Sequence, residues 1–110
     1  WPVTGVSPLD GLETAITHRY PGGRDLNGKE DRSLNPHERV SLEQAIVAYT
    51  SAGAYLAHDD VGRGSLSIGK AADLVVIDRN LFDTAALDIH SAQVDMTVIA
   101  GKVVFERTRD

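Results

Sequence analysis

Cysteine is absent from the 110 residues. That removes disulfides and thiolate metal sites from consideration. Positive charge is in the minority: 11 Lys and Arg stand against 16 Asp and Glu, for a formal net charge of −5. The basic residues are scattered as well as few, which argues against a nucleic-acid or anionic-membrane surface. No apolar run approaches a membrane span. The start of the chain, Trp1-Pro2-Val3-Thr4-Gly5, has neither a basic region nor an apolar signal core, so a cytoplasmic protein is expected. Length also excludes. The chain suffices for one small domain but not for a (β/α)8 barrel, which takes roughly 250 residues. Apolar residues make up 42%, so a core is available, although a marginal one at this size.

Catalytic signatures are missing too. The four histidines, His18, His37, His58 and His90, form neither His-x-His nor His-Glu-x-x-His, the close spacings that zinc enzymes use. His58-Asp59-Asp60 is the one local cluster. It reads as a helix-end histidine followed by two solvated aspartates. Gly62-Arg63-Gly64-Ser65 is not a nucleophile elbow, and no glycine-rich stretch is followed by the Gly-Lys-Ser/Thr of a phosphate loop. No catalytic residue and no metal ligand is expected within this chain.

What is present falls into three blocks. In the first, Ser7 suits an N-cap, Pro8 the first helical position, and Asp10 the third. Leu9, Leu12 and Ile16 share one helical face, and Pro21-Gly22-Gly23 ends the run near Tyr20. Residues 21–34 are polar and of mixed charge, either a surface excursion or a mobile lid. In the second block, Asn35-Pro36-His37-Glu38 reads as a helix start and Ser41-Leu42-Glu43-Gln44 as a capping box. Leu42, Ala45, Ile46 and Tyr49 form its apolar stripe. Thr50 or Ser51 caps a further short helix through Ala54, Tyr55 and Leu56. The third block is β. Leu74-Val75-Val76-Ile77 is apolar on both faces, which suits a strand covered on both sides. Val94, Met96 and Val98 alternate with polar residues, and Gly101-Lys102 separates them from Val103-Val104-Phe105 as a two-residue hairpin loop. Asp73, just ahead of the first strand, is placed to accept hydrogen bonds from turn amides, and Gly69 to take a positive φ.

The run Gly62-Arg63-Gly64-Ser65-Leu66-Ser67-Ile68-Gly69-Lys70-Ala71-Ala72-Asp73-Leu74-Val75-Val76-Ile77-Asp78 resembles the small β-domain segment of metal-dependent amidohydrolases. Gly64, Leu66, Gly69, Ala72, Asp73, Leu74, Val75 and Asp78 fill that pattern. The likeness extends in family order. Trp1-Pro2-Val3 and Pro8-Leu9 resemble the segment after the last barrel strand of the amidohydrolase 3 branch. Pro36 to Thr50, with Ala54-Tyr55, resembles its post-barrel helix, and Val94 to Phe105 its closing hairpin.

The resemblance implies an α+β fragment: terminal helices of a (β/α)8 barrel over residues 1–58, and part of a composite β-sandwich over residues 59–110. It implies a parent enzyme in which a divalent, zinc-like metal activates water against an amide or cyclic-amide C–N bond. In that branch Gly-Ser-Asp stands directly ahead of Trp-Pro-Val, and a His-x-His lies farther upstream. The chain would then lack both and act as structural support. Trp1 is the one substrate-binding candidate, at the rim of the parent's site. The expected partner is the missing N-terminal part of the parent, or a second copy paired through an open sheet edge. The rival expectations are a free-standing interaction module that uses that edge, and a purely structural cap.

Overall fold

The computed structural model describes residues 5–108. They form three helices, several 3-10 turns and a three-stranded antiparallel sheet, an α+β arrangement. The chain divides into two units. One comprises the segment ending at Ile46 together with Asn80–Ala92; the other comprises Val47–Arg79 and the segment from Gln93 onward.

The first unit is organised by helix α1, Pro8–Thr17. It starts as its sequence predicts: Ser7 Oγ accepts from the Asp10 amide at 3.4 Å, with Pro8 in the first turn. It ends earlier than predicted. His18 takes a left-handed conformation, φ 51°, and its amide bonds Thr14 O. Pro21–Gly23 is a separate 3-10 turn, not the helix stop. Leu9 and Leu12 are buried on α1 as expected, but so are Glu13 and Thr17. Against this face lies Ala86–Ser91, a 3-10 segment that buries Ile89. Leu81 and Ala92 are buried beside it in sequence.

Residues 21–34 form a surface excursion pinned at its return. Leu34 N donates to His18 O at 3.0 Å, Ser33 Oγ to Thr17 O at 2.7 Å, and Tyr20 N to Asp31 Oδ2 at 2.7 Å. The helix start expected at Asn35 is only the 3-10 turn Pro36–Glu38. Asn35 has φ 43° and makes no side-chain cap. The true start is the second signal: Gln44 N donates to Ser41 Oγ at 3.2 Å while Ser41 N donates to Gln44 Oε1 at 2.9 Å, the reciprocal pair of a capping box. It opens α2, Leu42–Tyr49. Ala45 is buried there, whereas Tyr49, expected in the stripe, is half exposed.

The second unit holds α3, Ser51–Leu56, and the sheet of β1, Leu74–Ile77, β2, Val94–Ile99, and β3, Lys102–Glu106, in that order. Thr50 occupies the N-cap position of α3 without a side-chain capping bond. Gly64, at φ 85°, lets the following loop lie against α3. A Cβ there would come within 2.6 Å of the Ala54 Cβ and 3.0 Å of the Ser51 Cα, so no other residue fits. Each strand pairing carries one register irregularity, between Val76 and Ile77 and between Thr97 and Val98.

Two strand expectations are corrected. Val75 and Val76 are 54% and 42% exposed, not covered on both faces. Indeed no described residue of this unit reaches full burial. The hairpin turn is Ala100-Gly101, one residue earlier than expected, because Lys102 already pairs with Ile99. Both turn residues have positive φ, 48° and 76°, as a type I′ turn demands. Glycine adopts this freely, but alanine pays roughly 1–2 kcal/mol.

Asp73 holds that strained turn. Its Oδ1 accepts from Ala100 N at 2.7 Å, while Ala72 O accepts from Gly101 N at 3.1 Å. Urea unfolding is therefore expected to show Ala100→Asn stabilising the chain by about 0.5–1 kcal/mol, since asparagine tolerates the left-handed region. Asp73→Ala is expected to destabilise it by about 1–2 kcal/mol through the lost charge-assisted bond.

Candidate functional site

The densest polar constellation lies in the first unit and centres on Glu13, whose side chain is fully buried. One turn of α1 places Glu13 beside Leu9 and Leu12, so its carboxylate enters the apolar face. Its Oε1 accepts from Gly22 N at 2.6 Å. Its Oε2 accepts from His90 N at 2.7 Å and from His90 Nδ1 at 2.8 Å. A carboxylate only accepts, so Nδ1 carries the proton in this pair. The His90 ring covers Gly22: a Cβ on Gly22 would sit 3.3 Å from its Cε1. The arrangement is a carboxylate–imidazole dyad that also staples two backbone segments.

A second network lies in the other unit, where the chain leaves β1 and returns to β2. Asp78 N donates to Gln93 O at 2.9 Å, and Gln93 N to Asp78 Oδ1 at 3.1 Å. Arg79 grips the same carboxylate with both Nε and Nη2 at 3.0 Å. That guanidinium, helped by the Gln93 amide, holds the Asp78 carboxyl down at about 2, below its ordinary 3.8. Arg107 bridges Asp95 and Gln93 nearby. Asp59 pairs with Arg63 at 2.7 Å, and Arg63 also reaches Asp73 at 3.3 Å.

The residues singled out by sequence fare unevenly. Trp1, the substrate-binding candidate, lies outside the described residues, as do Pro2 and Val3. His58 stands just past α3 with φ 56°, at the helix end, while Asp59 beyond it pairs with Arg63 instead of facing solvent alone. His18 Nδ1 lies 2.7 Å from Leu34 O. Among the described residues, no three His, Asp or Glu gather into a group able to hold a metal. No helix there is long and apolar enough to cross a membrane. Sequence reasoning missed the Glu13–His90 dyad. The available signal was a charge at the centre of the Leu9-Leu12-Ile16 stripe, but its partner is 77 residues away.

Comparison with known proteins gives this geometry its context. The model of the amidohydrolase family, Amidohydro_3, matches residues 1–105. The chain belongs to the amidohydrolase family. It is 36% identical over 105 residues to the protein LONG AFTER FAR-RED 3 of Arabidopsis thaliana, covering 96% of this chain and 17% of that one. It is 30% identical over 102 residues to an N-substituted formamide deformylase of Arthrobacter pascens, covering 93% and 17%. It is 28% identical over 107 residues to the amidohydrolase YtcJ of Bacillus subtilis, covering 97% and 19%. The chain thus spans less than a fifth of the length of each of these relatives. No solved structure matches at a significant level.

Removing the Glu13 carboxylate leaves the part-buried amides of Gly22 and His90 without that acceptor. Glu13→Ala is expected to cost about 3 kcal/mol in chemical denaturation. His90→Ala keeps both backbone bonds and is expected to cost only about 1 kcal/mol. Equal losses would show that the imidazole, not the carboxylate, carries the cluster.

Asp78 yields a pH prediction. Its folded value is depressed, so its contribution is present above the unfolded value near 3.8 and is lost as pH falls towards about 2. In an NMR titration its carboxyl midpoint is expected near 2, and Arg79→Ala is expected to move it up towards the ordinary aspartate range.

Proposed function

We propose that the chain is the C-terminal structural portion of a metal-dependent amidohydrolase whose reaction is hydrolysis of an amide or cyclic-amide C–N bond. The observation that carries this is a family match over nearly the whole chain, joined to coverage of less than a fifth of each relative. In this assignment residues 1–58 supply the segment after the last barrel strand and the closing helices. Residues 59–110 supply part of a composite β-sandwich, and Trp1 stands at the rim of the site. The location is cytoplasmic. The reaction for which one relative is named, deformylation of N-substituted formamides, is cleavage of a C–N bond and fits the same class.

The described residues do not fit a metal: no donor set of three is present among them. The metal of the intact enzyme is therefore assigned to residues outside them. What these residues do is support. The Glu13 staple fixes α1 against Pro21–Gly23 and Ala86–Ser91, while Asp73 and Asp78 fix the turns of the sheet. A sheet with half-exposed valines and no fully buried residue is in keeping with a layer that is completed by further chain.

One observation favours a second reading, an interaction module. β1 is an edge strand, and its Leu-Val-Val-Ile run carries no charge to discourage pairing. Self-association through that edge would follow.

The primary assignment predicts that the purified chain, supplied with zinc and offered N-acyl amino acids and cyclic amides, gives no turnover above a metal-only blank. It also predicts codons for Gly-Ser-Asp directly ahead of Trp1 and for His-x-His farther upstream. Chelator-sensitive turnover by the chain alone, or a gene lacking both motifs, would overturn it. Light scattering over a concentration series separates the second reading: an oligomer dissolved by Val76→Lys supports the edge as a docking site, and a strict monomer removes it.

A further inference from the structure

Residues 24–30 form a small hairpin that projects from the pinned excursion. Arg24 and Glu30 make an isolated antiparallel bridge. Asp25 N donates to Lys29 O at 2.8 Å, Gly28 N to Asp25 O at 2.9 Å, and the Asp25 carboxylate accepts from Asn27 N at 2.8 Å and Lys29 N at 2.9 Å. Gly28 has φ 74°. This is a three-residue loop: a turn followed by a left-handed glycine.

The chain has three asparagines, Asn27, Asn35 and Asn80, and their surroundings differ chemically. Asn35 precedes Pro36, which has no N–H, and its Nδ2 donates to Glu38 Oε2 at 3.3 Å. Asn80 precedes the buried Leu81; its Oδ1 accepts from Phe82 N at 3.1 Å and its Nδ2 donates to Asp83 Oδ2 at 2.7 Å. Both are tied down. Asn27 is exposed, and no hydrogen bond of its side-chain amide is found among the described residues. It is followed by the one residue type without a Cβ, and a Cβ built on Gly28 would meet nothing within 4 Å. No side chain on residue 28 therefore crowds the approach of its nitrogen to the Asn27 side-chain carbon.

We propose that Asn27-Gly28 is a self-modification site, at which the chain converts its own asparagine to aspartate and isoaspartate at a rate set by opening of the hairpin. The Gly28 amide nitrogen loses its proton to hydroxide and attacks Asn27 Cγ. Water returns a proton to Nδ2, the Cγ–Nδ2 bond breaks and ammonia leaves, giving a five-membered succinimide and regenerating hydroxide. Water then opens either carbonyl of that ring. One opening restores the main chain with a new carboxylate. The other routes the main chain through the side chain and lengthens it by one methylene.

The hairpin restrains this reaction because the attacking nitrogen is engaged with Asp25 O. The Asp25 carboxylate adds two further bonds across the same loop. Opening releases the nitrogen. Once formed, isoaspartate cannot keep both the Asn27 and Lys29 amides on one carboxylate, since the added methylene shifts their spacing. The product therefore loosens the Arg24–Glu30 bridge, and the change is irreversible without enzymatic repair. A new negative charge also appears two residues from Asp25, on a chain that is already acidic.

The test is peptide mass spectrometry of the full chain aged at 37 °C in mildly alkaline buffer, with isoaspartate distinguished from aspartate by fragmentation. Conversion is expected at position 27 at least tenfold faster than at Asn35 or Asn80. Asp25→Ala, checked for retained secondary structure by circular dichroism, is expected to accelerate it several-fold. Denaturation in urea is expected to accelerate it at least as much, and Gly28→Ala to suppress it in both folded and unfolded chain. The proposal is overturned by equal rates at the three asparagines. It is also overturned if neither Asp25→Ala nor urea changes the rate at position 27, because the hairpin would then not control the reaction.

Discussion

One buried carboxylate organises the first unit. Pro21–Gly23 and Ala86–Ser91 are 3-10 turns, so neither has a helix or sheet ladder to absorb its amides. Part-buried amides on irregular backbone are stabilised by a fixed acceptor. Glu13 meets this demand from α1 with acceptor oxygens aimed at Gly22 and His90. The apolar packing then follows from that placement. Ile89 is adjacent to His90 and almost wholly buried, and Leu81 and Ala92 bracket the same segment. A leucine at position 13 would bury more apolar area, yet it would strand two amides and the imidazole. The polar residue is the better core residue here because its neighbours are irregular backbone.

The second unit is held differently. None of its described residues is buried, and its order comes from carboxylates that reach across turns. Asp73 spans 27 positions to the Ala100 amide. Asp78 closes the mouth between β1 and β2 through Gln93, and Asp95 engages Arg107 across β2 and the end of β3. The Ala72-Asp73 pair of the family-like run gains a physical meaning from this. The Ala72 carbonyl and the Asp73 carboxylate take the two amides of a single hairpin turn, so the pair fixes where β2 stops and β3 begins.

Legibility in the sequence followed the range of the interaction. The Ser7 cap and the Ser41–Gln44 box are contacts three residues long, and both were readable. The three strands were readable from their apolar runs. The end of α1 was not, because His18 closes it in a conformation that sequence normally assigns to glycine. The hairpin turn was displaced by one residue for the same reason: Ala100 takes positive φ under a restraint from Asp73 that local sequence does not reveal. The Glu13–His90 dyad was hidden by distance along the chain. The family, by contrast, was legible, because its pattern residues cluster in one short run that leads from a glycine-bearing loop into β1.

The exposure of β1 is where sequence and structure pull apart, and the reason is instructive. Leu74-Val75-Val76-Ile77 has the composition of a strand covered on two faces, but in this chain its central valines are open to solvent. The aspartates that flank it are not open in the same sense: Asp73 and Asp78 are already engaged with Ala100, Arg63, Arg79 and Gln93. Charge around the strand is therefore satisfied internally, and what remains unsatisfied is apolar area and an unpaired backbone edge. The other edge strand differs, since β3 carries Lys102 and Glu106 at its ends, charges of the kind that discourage pairing. The two edges of the sheet thus differ in charge, with the uncharged one at β1.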